Sequence, residues 1–223
     1  MTRRLLIVGA GGFGREVLTY AANSAGYGTE WVIGGFLDRN PHALDKYDVA
    51  YPVLGDPECY TPTRDDLFVC AIGGPEIKLA ICRSLLARRA TFTPLIHSTA
   101  LVGARSQLGQ GCILCPYTTV TSDVRIGDFV TVNAHSGIGH DAVIGDGCTL
   151  SAFCDVTGNV QLGEATFMGS HSCVLPGVDV GKYVRIGAGT AVFGRVKPGA
   201  TVMGVPARVI WSRPVDSPKE ITS

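Results

Sequence analysis

The chain has 223 residues, with 19 Lys and Arg against 19 Asp and Glu, so it carries no net formal charge at neutral pH. That balance excludes the basic surface of a nucleic-acid binder and the acidic composition of a disordered tail. Hydrophobic residues at 46% suffice for one sizeable domain or two small ones, while 29 glycines and only 8% aromatics point to many tight turns and a core of small aliphatic side chains.

In chain order, Leu5 to Val8 reads as a buried strand, followed at once by Gly9-Ala10-Gly11-Gly12-Phe13-Gly14 and by Arg15 and Glu16. This apolar run is too short and too soon interrupted by charge for a secretory core or a membrane span, so a cytoplasmic protein is expected. An amphipathic helix should follow to about Ala25, then a strand from Trp31 to Leu37 ending in Asp38. A third strand, Leu67 to Ile72, runs into Gly73-Gly74-Pro75, and Pro75 suits the first turn of a helix reaching about Arg89. A last strand is expected near Thr91 to Ile96.

The spacing Gly9-x-Gly11-x-x-Gly14 between strand and helix lets backbone N–H groups approach a phosphate at a helix N-terminus. Asp38, at the end of the next strand, stands where a ribose hydroxyl could be held. With about three strands the unit lacks the second half that holds nicotinamide, so residues 1–95 read as a Rossmann-like α/β domain for a nucleotide carried on something else. Its candidate binding residues are Gly9, Gly11, Gly12, Phe13, Gly14, Asp38, Arg39 and Gly73. The plainer alternative is that the glycines only make a tight turn.

From Ile96 the texture changes. Stepping by six from Ile96 to Val192 gives seventeen positions, every one aliphatic or Met. Four residues after each stands Ala, Ser, Cys, Thr or Val, and the residue directly after is frequently Gly, as at Gly103, Gly109, Gly127 and Gly139. A period of six fits neither a helix nor an alternating strand; it fits a solenoid of short strands and turns, three units to an 18-residue triangular coil. Residues 96–210 are therefore expected to form an all-β parallel helix of five to six coils, about 27 Å long at ~4.8 Å per coil. The tail, 211–223, is polar and carries two prolines. Cys112, Cys148 and Cys154 fall in the small inward slot, where a thiol acts as a compact hydrophobe; reduced thiols suit all eight cysteines, which are diluted through a chain of this length.

The same register puts His135, His140 and His171 at outward positions. His140 is followed by Asp141, and an imidazole beside a carboxylate can act as a general base. The order of a GxGxxG α/β unit, a hexapeptide repeat, Asn133-x6-His140-Asp141, Thr157-Gly158-Asn159-Val160 and Gly204-Val205-Pro206-Ala207 resembles the NeuD/PglD family of sugar acetyltransferases. The resemblance implies a left-handed β-helix, a homotrimer, and acetyl-CoA-dependent transfer to an amine or hydroxyl of a nucleotide-linked sugar in polysaccharide biosynthesis. It implies His140 as base, Asp141 as its partner, Asn133 in the acceptor pocket and the Gly158 N–H on the thioester oxygen. It further implies Gly187 and Ala188 along the pantetheine arm and Lys197 and Arg208 at the coenzyme phosphates. No metal is implied. Many amino-sugar members carry His where this chain has Phe13 and Thr149, which bears on the acceptor rather than on acetyl-CoA.

Two other readings compete. His135-x4-His140 resembles part of the zinc site of γ-class carbonic anhydrases, but the third ligand would stand two coils before His135, where the chain has Thr99. A non-catalytic sugar-nucleotide-binding trimer would use the front domain and the solenoid alike; the His140–Asp141 pair argues against it.

Overall fold

A computed structural model describes residues 2–215, so the expected polar tail lies largely outside the described residues. The front of the chain folds as β1 (Arg3–Val8), α1 (Gly12–Ala21), β2 (Trp31–Leu37), β3 (Asp66–Cys70) and α2 (Pro75–Ala87). The strands form a parallel sheet in the order β2-β1-β3. β1 is central because both of its faces are covered. Leu5 and Ile7 pack in one cluster with Val17 and Ala21 of α1, whereas Leu6 and Val8 pack in another with Leu79, Cys82 and Leu85 of α2.

Both helices end earlier than their composition suggests. After Ala21 the chain turns, and Ala25 donates to the Ile96 carbonyl at 3.0 Å, tying the loop to the start of the solenoid. The strand expected over Thr91 to Ile96 is divided: Phe92 makes a lone parallel bridge to Phe68, and only Leu95–Ile96 is a strand. Pro94, which has no N–H to give a ladder, stands between them.

From Leu95–Ile96 to Ala191–Val192 every sixth step is a two-residue strand, its second residue being the repeat aliphatic. Each strand pairs in parallel with the one 18 residues on, as Thr131 with Thr149 and Gly137 with Asp155. Three sheets result, and they form the faces of a prism. The first face begins at Leu95–Ile96, the second at Leu101–Val102 and the third at Gln107–Leu108. The second residue of each strand points inward, and those from Leu114 to Val202 make one continuous core with the small-slot residues Cys112, Cys148 and Cys154. Those thiols donate to the carbonyls of Gly127, Gly163 and Gly169 at 3.1, 3.2 and 3.2 Å. Burial pushes Cys112 up to about 11 and Cys148 up to about 12, so they are compact core residues and poor nucleophiles.

The corner following each face places one residue in the left-handed conformation, for example His135, Asp141 and Phe129 at φ of 59°, 60° and 59°. The front domain lies against the first face and the third corner. Phe129 and Ala165 join the α2 cluster, and Arg83 of α2 pairs with Glu164 at 2.9 Å. Lys78 of α2 is wholly buried in this junction. Its amine donates to Thr131 Oγ1 (3.0 Å), Thr149 Oγ1 (2.9 Å) and the Cys148 carbonyl (3.1 Å). The last coil is closed by Ala200–Met203, which pairs with the first face and then antiparallel with Arg208–Ser212.

Candidate active site

The second corner brings His140, Asp141 and Gly158 together. Its turns stack at 18-residue intervals, so Ser122, His140, Gly158, Pro176 and Gly194 form one column, and Asp123, Asp141, Asn159, Gly177 and Arg195 the next. His140 and Asp141 are both exposed, and Nδ1 of the imidazole lies 2.8 Å from Asp141 Oδ2. The ring leans over the next coil: a Cβ built on Gly158 would lie 2.7 Å from both Cε1 and Nε2 of His140. Only glycine leaves the imidazole that place. Around it, the Thr157 N–H donates to the Val174 carbonyl and the Asn159 N–H to that of His140, while among the described residues no backbone carbonyl accepts from Gly158. A directed base and an uncommitted N–H thus sit on adjacent coils, a pairing suited to deprotonating a nucleophile while steadying an oxyanion.

Three coils beyond His140, roughly 14 Å along the prism axis, this corner opens into a cavity of about 650 Å³ at the closed end. Phe193, Gly194, Arg195, Lys197, Arg208 and Arg213 are among its lining residues. Arg195 pairs with Asp179 at 3.3 Å and Arg213 with Glu76 at 2.8 Å. Lys197 and Arg208 were expected here. Arg195 was not, although it stands three 18-residue steps after Asp141 and the register alone could have found it.

Asn133, Gly187 and Ala188 stand on the first corner, across the second face from His140. A single chain therefore does not gather all of the expected residues. His135 is also on the first corner, stacked between Tyr117 and Phe153 at ring distances of 5.0 and 4.8 Å, away from His140. Thr149 is buried under Lys78, not presented to an open pocket.

In the front domain the glycine loop separates two cavities. One, about 410 Å³, is lined by Gly9, Gly11, Asp38 and Arg39 together with the apolar Leu37, Ile72, Ile77 and Ile81. The other, about 560 Å³, holds Gly11, Gly12 and Asp38 with Arg15, Asn40, Lys46 and Tyr47. Gly14 has a steric cause, because a Cβ there would fall 1.9 Å from the Gly9 carbonyl oxygen. The Asp38 carboxylate accepts from the Ala10 N–H (2.8 Å) and the Asn40 N–H (2.9 Å), so it braces the loop from below. Arg39 pairs with Glu58 at the rim of the first cavity. Phe13 packs partly buried against the α1-side core and lines neither cavity; Gly73 stands in open space.

Comparison with known proteins matches residues 4–85 to the PglD N-terminal domain and residues 123–158 to the bacterial transferase hexapeptide (six repeats). A curated relative, GDP-perosamine N-acetyltransferase of Escherichia coli O157:H7, is 27% identical over 80 residues, and that match spans 36% of each chain. Among solved structures, the acetyltransferase domain of PglB from Neisseria gonorrhoeae FA1090, in complex with acetyl coenzyme A, has a TM-score of 0.83 at 26% identity, covering 94% of this chain and 100% of that one. WeeI from Acinetobacter baumannii AYE gives a TM-score of 0.81 at 26% identity with the same coverage. Among the described residues no helix is long and apolar enough to cross a membrane.

Proposed function

Because the chain belongs to the NeuD/PglD-like family, and its solenoid is the left-handed β-helix of that family's structures, we propose that it is an acetyl-CoA-dependent sugar acetyltransferase. It acts on an amino or hydroxyl group of a nucleotide-linked sugar by direct transfer. The observation that carries this reading is the His140 imidazole, bonded through Nδ1 to Asp141 and lying over the Cβ-free surface of Gly158.

A Nδ1–H donated to Asp141 leaves the lone pair on Nε2, which faces Gly158. Nε2 takes the proton from the acceptor amine or hydroxyl as that atom bonds to the thioester carbon. The Gly158 N–H donates to the carbonyl oxygen while it bears charge. The carbon–sulfur bond then breaks, and the sulfur leaves with the proton returned from His140. The residues fit acetyl-CoA along the same corner: its arm would run from Gly158 past Pro176 and Gly194, and its phosphates would meet Lys197, Arg208 and Arg195 in the basic cavity.

The glycine loop, with the unfilled N-terminus of α1 at Gly11 and Gly12, suits the diphosphate of the sugar nucleotide. The first corner's Asn133, Gly187 and Ala188 reach His140 only if another copy brings them, which supports a homotrimer with the reacting groups in the cleft between prisms. A cytoplasmic location accords with activated sugars and acetyl-CoA as substrates.

The test is thiol release from acetyl-CoA in the presence of UDP-, dTDP- and GDP-linked 4-amino and neutral sugars, with products identified by mass spectrometry. His140→Ala should lower kcat by about 10²- to 10⁴-fold on the sugar that is turned over. Full turnover in that variant removes His140 from the mechanism.

A further inference from the structure

The column that holds Asp141 carries more charge than the transfer uses. At 18-residue steps it runs Arg105, Asp123, Asp141, Asn159, Gly177 and Arg195. The first four share the left-handed conformation, with φ between 60° and 63°. The Asp123 N–H donates to the Ala104 carbonyl at 3.1 Å and the Asp141 N–H to the Ser122 carbonyl at 3.2 Å. These bonds stack each turn on the one before it at the coil spacing of ~4.8 Å.

Two carboxylates one coil apart therefore flank the imidazole, and like charges at that spacing repel even in water. Asp141 has an evident use, because its carboxylate accepts from His140 Nδ1. Asp123 has none in the transfer itself. A second, uncompensated carboxylate would favour the protonated imidazole, and a base must be free of that proton before it can act.

Arg105 answers that charge. Its guanidinium forms a fork on Asp123, Nε donating to Oδ1 and Nη2 to Oδ2, both at 2.6 Å. The bonds from Arg105 hold the Asp123 carboxyl below its usual range, and Asp123, with a weaker pull from Asp141, holds the guanidinium above its own. Arg105 thus responds to both carboxylates. Exposed ion pairs matter chiefly where the geometry is bidentate or the charges form a network, and this pair meets both conditions.

Other charged groups around His140 do not take its place. Asp155 stands on the second face, its Oδ1 3.7 Å from where a Cβ on Gly137 would lie, and Arg125 stands on the third. The coil above offers the uncharged Gly158 and Asn159. The first corner that a homotrimer would bring carries His135 and His171 and no carboxylate.

We propose that Arg105, acting through Asp123, is a positioning residue for the His140–Asp141 base. It draws Asp123 toward the near end of the prism and offsets its charge. Asp141 alone then directs the imidazole, and Nε2 is free to take the acceptor's proton near neutral pH. The inference rests on His140 as the base of the proposed function.

The pH profile of kcat/KM tests it on the full chain, with acetyl-CoA and the sugar that is turned over. In Arg105→Gln the acid limb should move up by about half a unit, so that kcat/KM at about pH 6 falls about threefold while the profiles converge above the limb. Asp123→Asn leaves Arg105 as an unpaired cation and should move the limb down; the double variant should return it to the wild-type position. About 0.5 M NaCl should bring the Arg105→Gln and wild-type limbs together. A role in folding alone would lower the melting temperature and leave the limb in place. Should Arg105→Gln fail to fold, Asp123→Asn decides by itself: an unmoved limb overturns the inference. A limb unmoved in Arg105→Gln, or a loss equal at every pH, also overturns it. Full turnover in His140→Ala overturns the base and this inference together.

Discussion

Lys78 has no carboxylate among its hydrogen-bond partners, which are two threonine hydroxyls and one carbonyl. Burial depresses its amine from 10.5 to about 8, against the smaller opposing pull of Cys70, Cys148 and Cys82. That fall corresponds to about 3 kcal/mol spent in holding the charge inside at neutral pH. The sign follows from where the proton resides. Below the folded pKa both states hold the proton and the folded chain bears the whole cost. Between about 8 and 10.5 the folded amine has let it go while the unfolded one keeps it, so this contribution to stability rises with pH. The buried thiols Cys112, Cys115 and Cys148, raised by burial, act in the opposite direction as unfolded thiols ionise. The difference between wild type and Lys78→Met isolates the amine. The variant keeps the stem and loses three hydrogen bonds, about 1 kcal/mol each and nearly independent of pH. Urea denaturation at about pH 7 and about pH 9.5 should show wild type gaining on the variant by about 2 kcal/mol across that interval. A difference that stays constant would mean that the amine titrates as though in water, and would refute the reasoning.

Two further substitutions probe other joints. Gly158→Ala puts a methyl 2.7 Å from the His140 ring and must displace it; kcat should fall by about 10²-fold while the melting temperature stays near that of wild type, and unchanged kcat would detach Gly158 from the reaction. Asp66 is buried and opposed by its own desolvation, yet bonds from Thr63, Arg4 and Tyr60 outweigh that and hold its carboxyl below the usual range. Its stabilisation is therefore present above the ordinary carboxylate pKa and lost as pH falls through the depressed one. Asp66→Asn should cost about 3 kcal/mol near neutrality and flatten the acid limb of the stability profile; an acid limb identical to that of wild type would contradict the assignment.

The solenoid was legible because its physics is strictly periodic. Each coil must supply an inward aliphatic where the previous coil did, so the run from Ile96 to Val192 specifies strands, faces and columns together. From that register His140, Asp141 and Gly158 could be placed outward on one corner by counting. The same count placed Tyr117, His135, Phe153 and His171 in one column, but ring stacking depends on side-chain rotamers that a register does not carry. Lys78 was hidden for another reason. It shares the inner side of α2 with Pro75, Leu79, Cys82 and Leu85, and a lysine among apolar neighbours reads as a charged residue reaching for solvent until the opposing hydroxyls are located. The helix and strand ends at Ala21 and Leu95 were set by hydrogen bonds between distant segments, Ala25 to Ile96 and Ser98 to Asn23, which local propensity cannot weigh.

The two ends of the prism are finished unequally. At the far end an antiparallel pair, Ala200–Met203 with Arg208–Ser212, lies across the last coil, whereas at the near end the inward Val102 remains exposed, in contrast to its buried counterparts Val120, Ile138 and Val156 further along. In a stack where each layer touches only its neighbours, opening begins where a layer has one neighbour and no lid. Native-state amide exchange should therefore show protection graded along the axis, least at Leu101 to Leu108 and growing toward Val192, with His140 and Gly158 in the firm middle and the loose rim free to breathe.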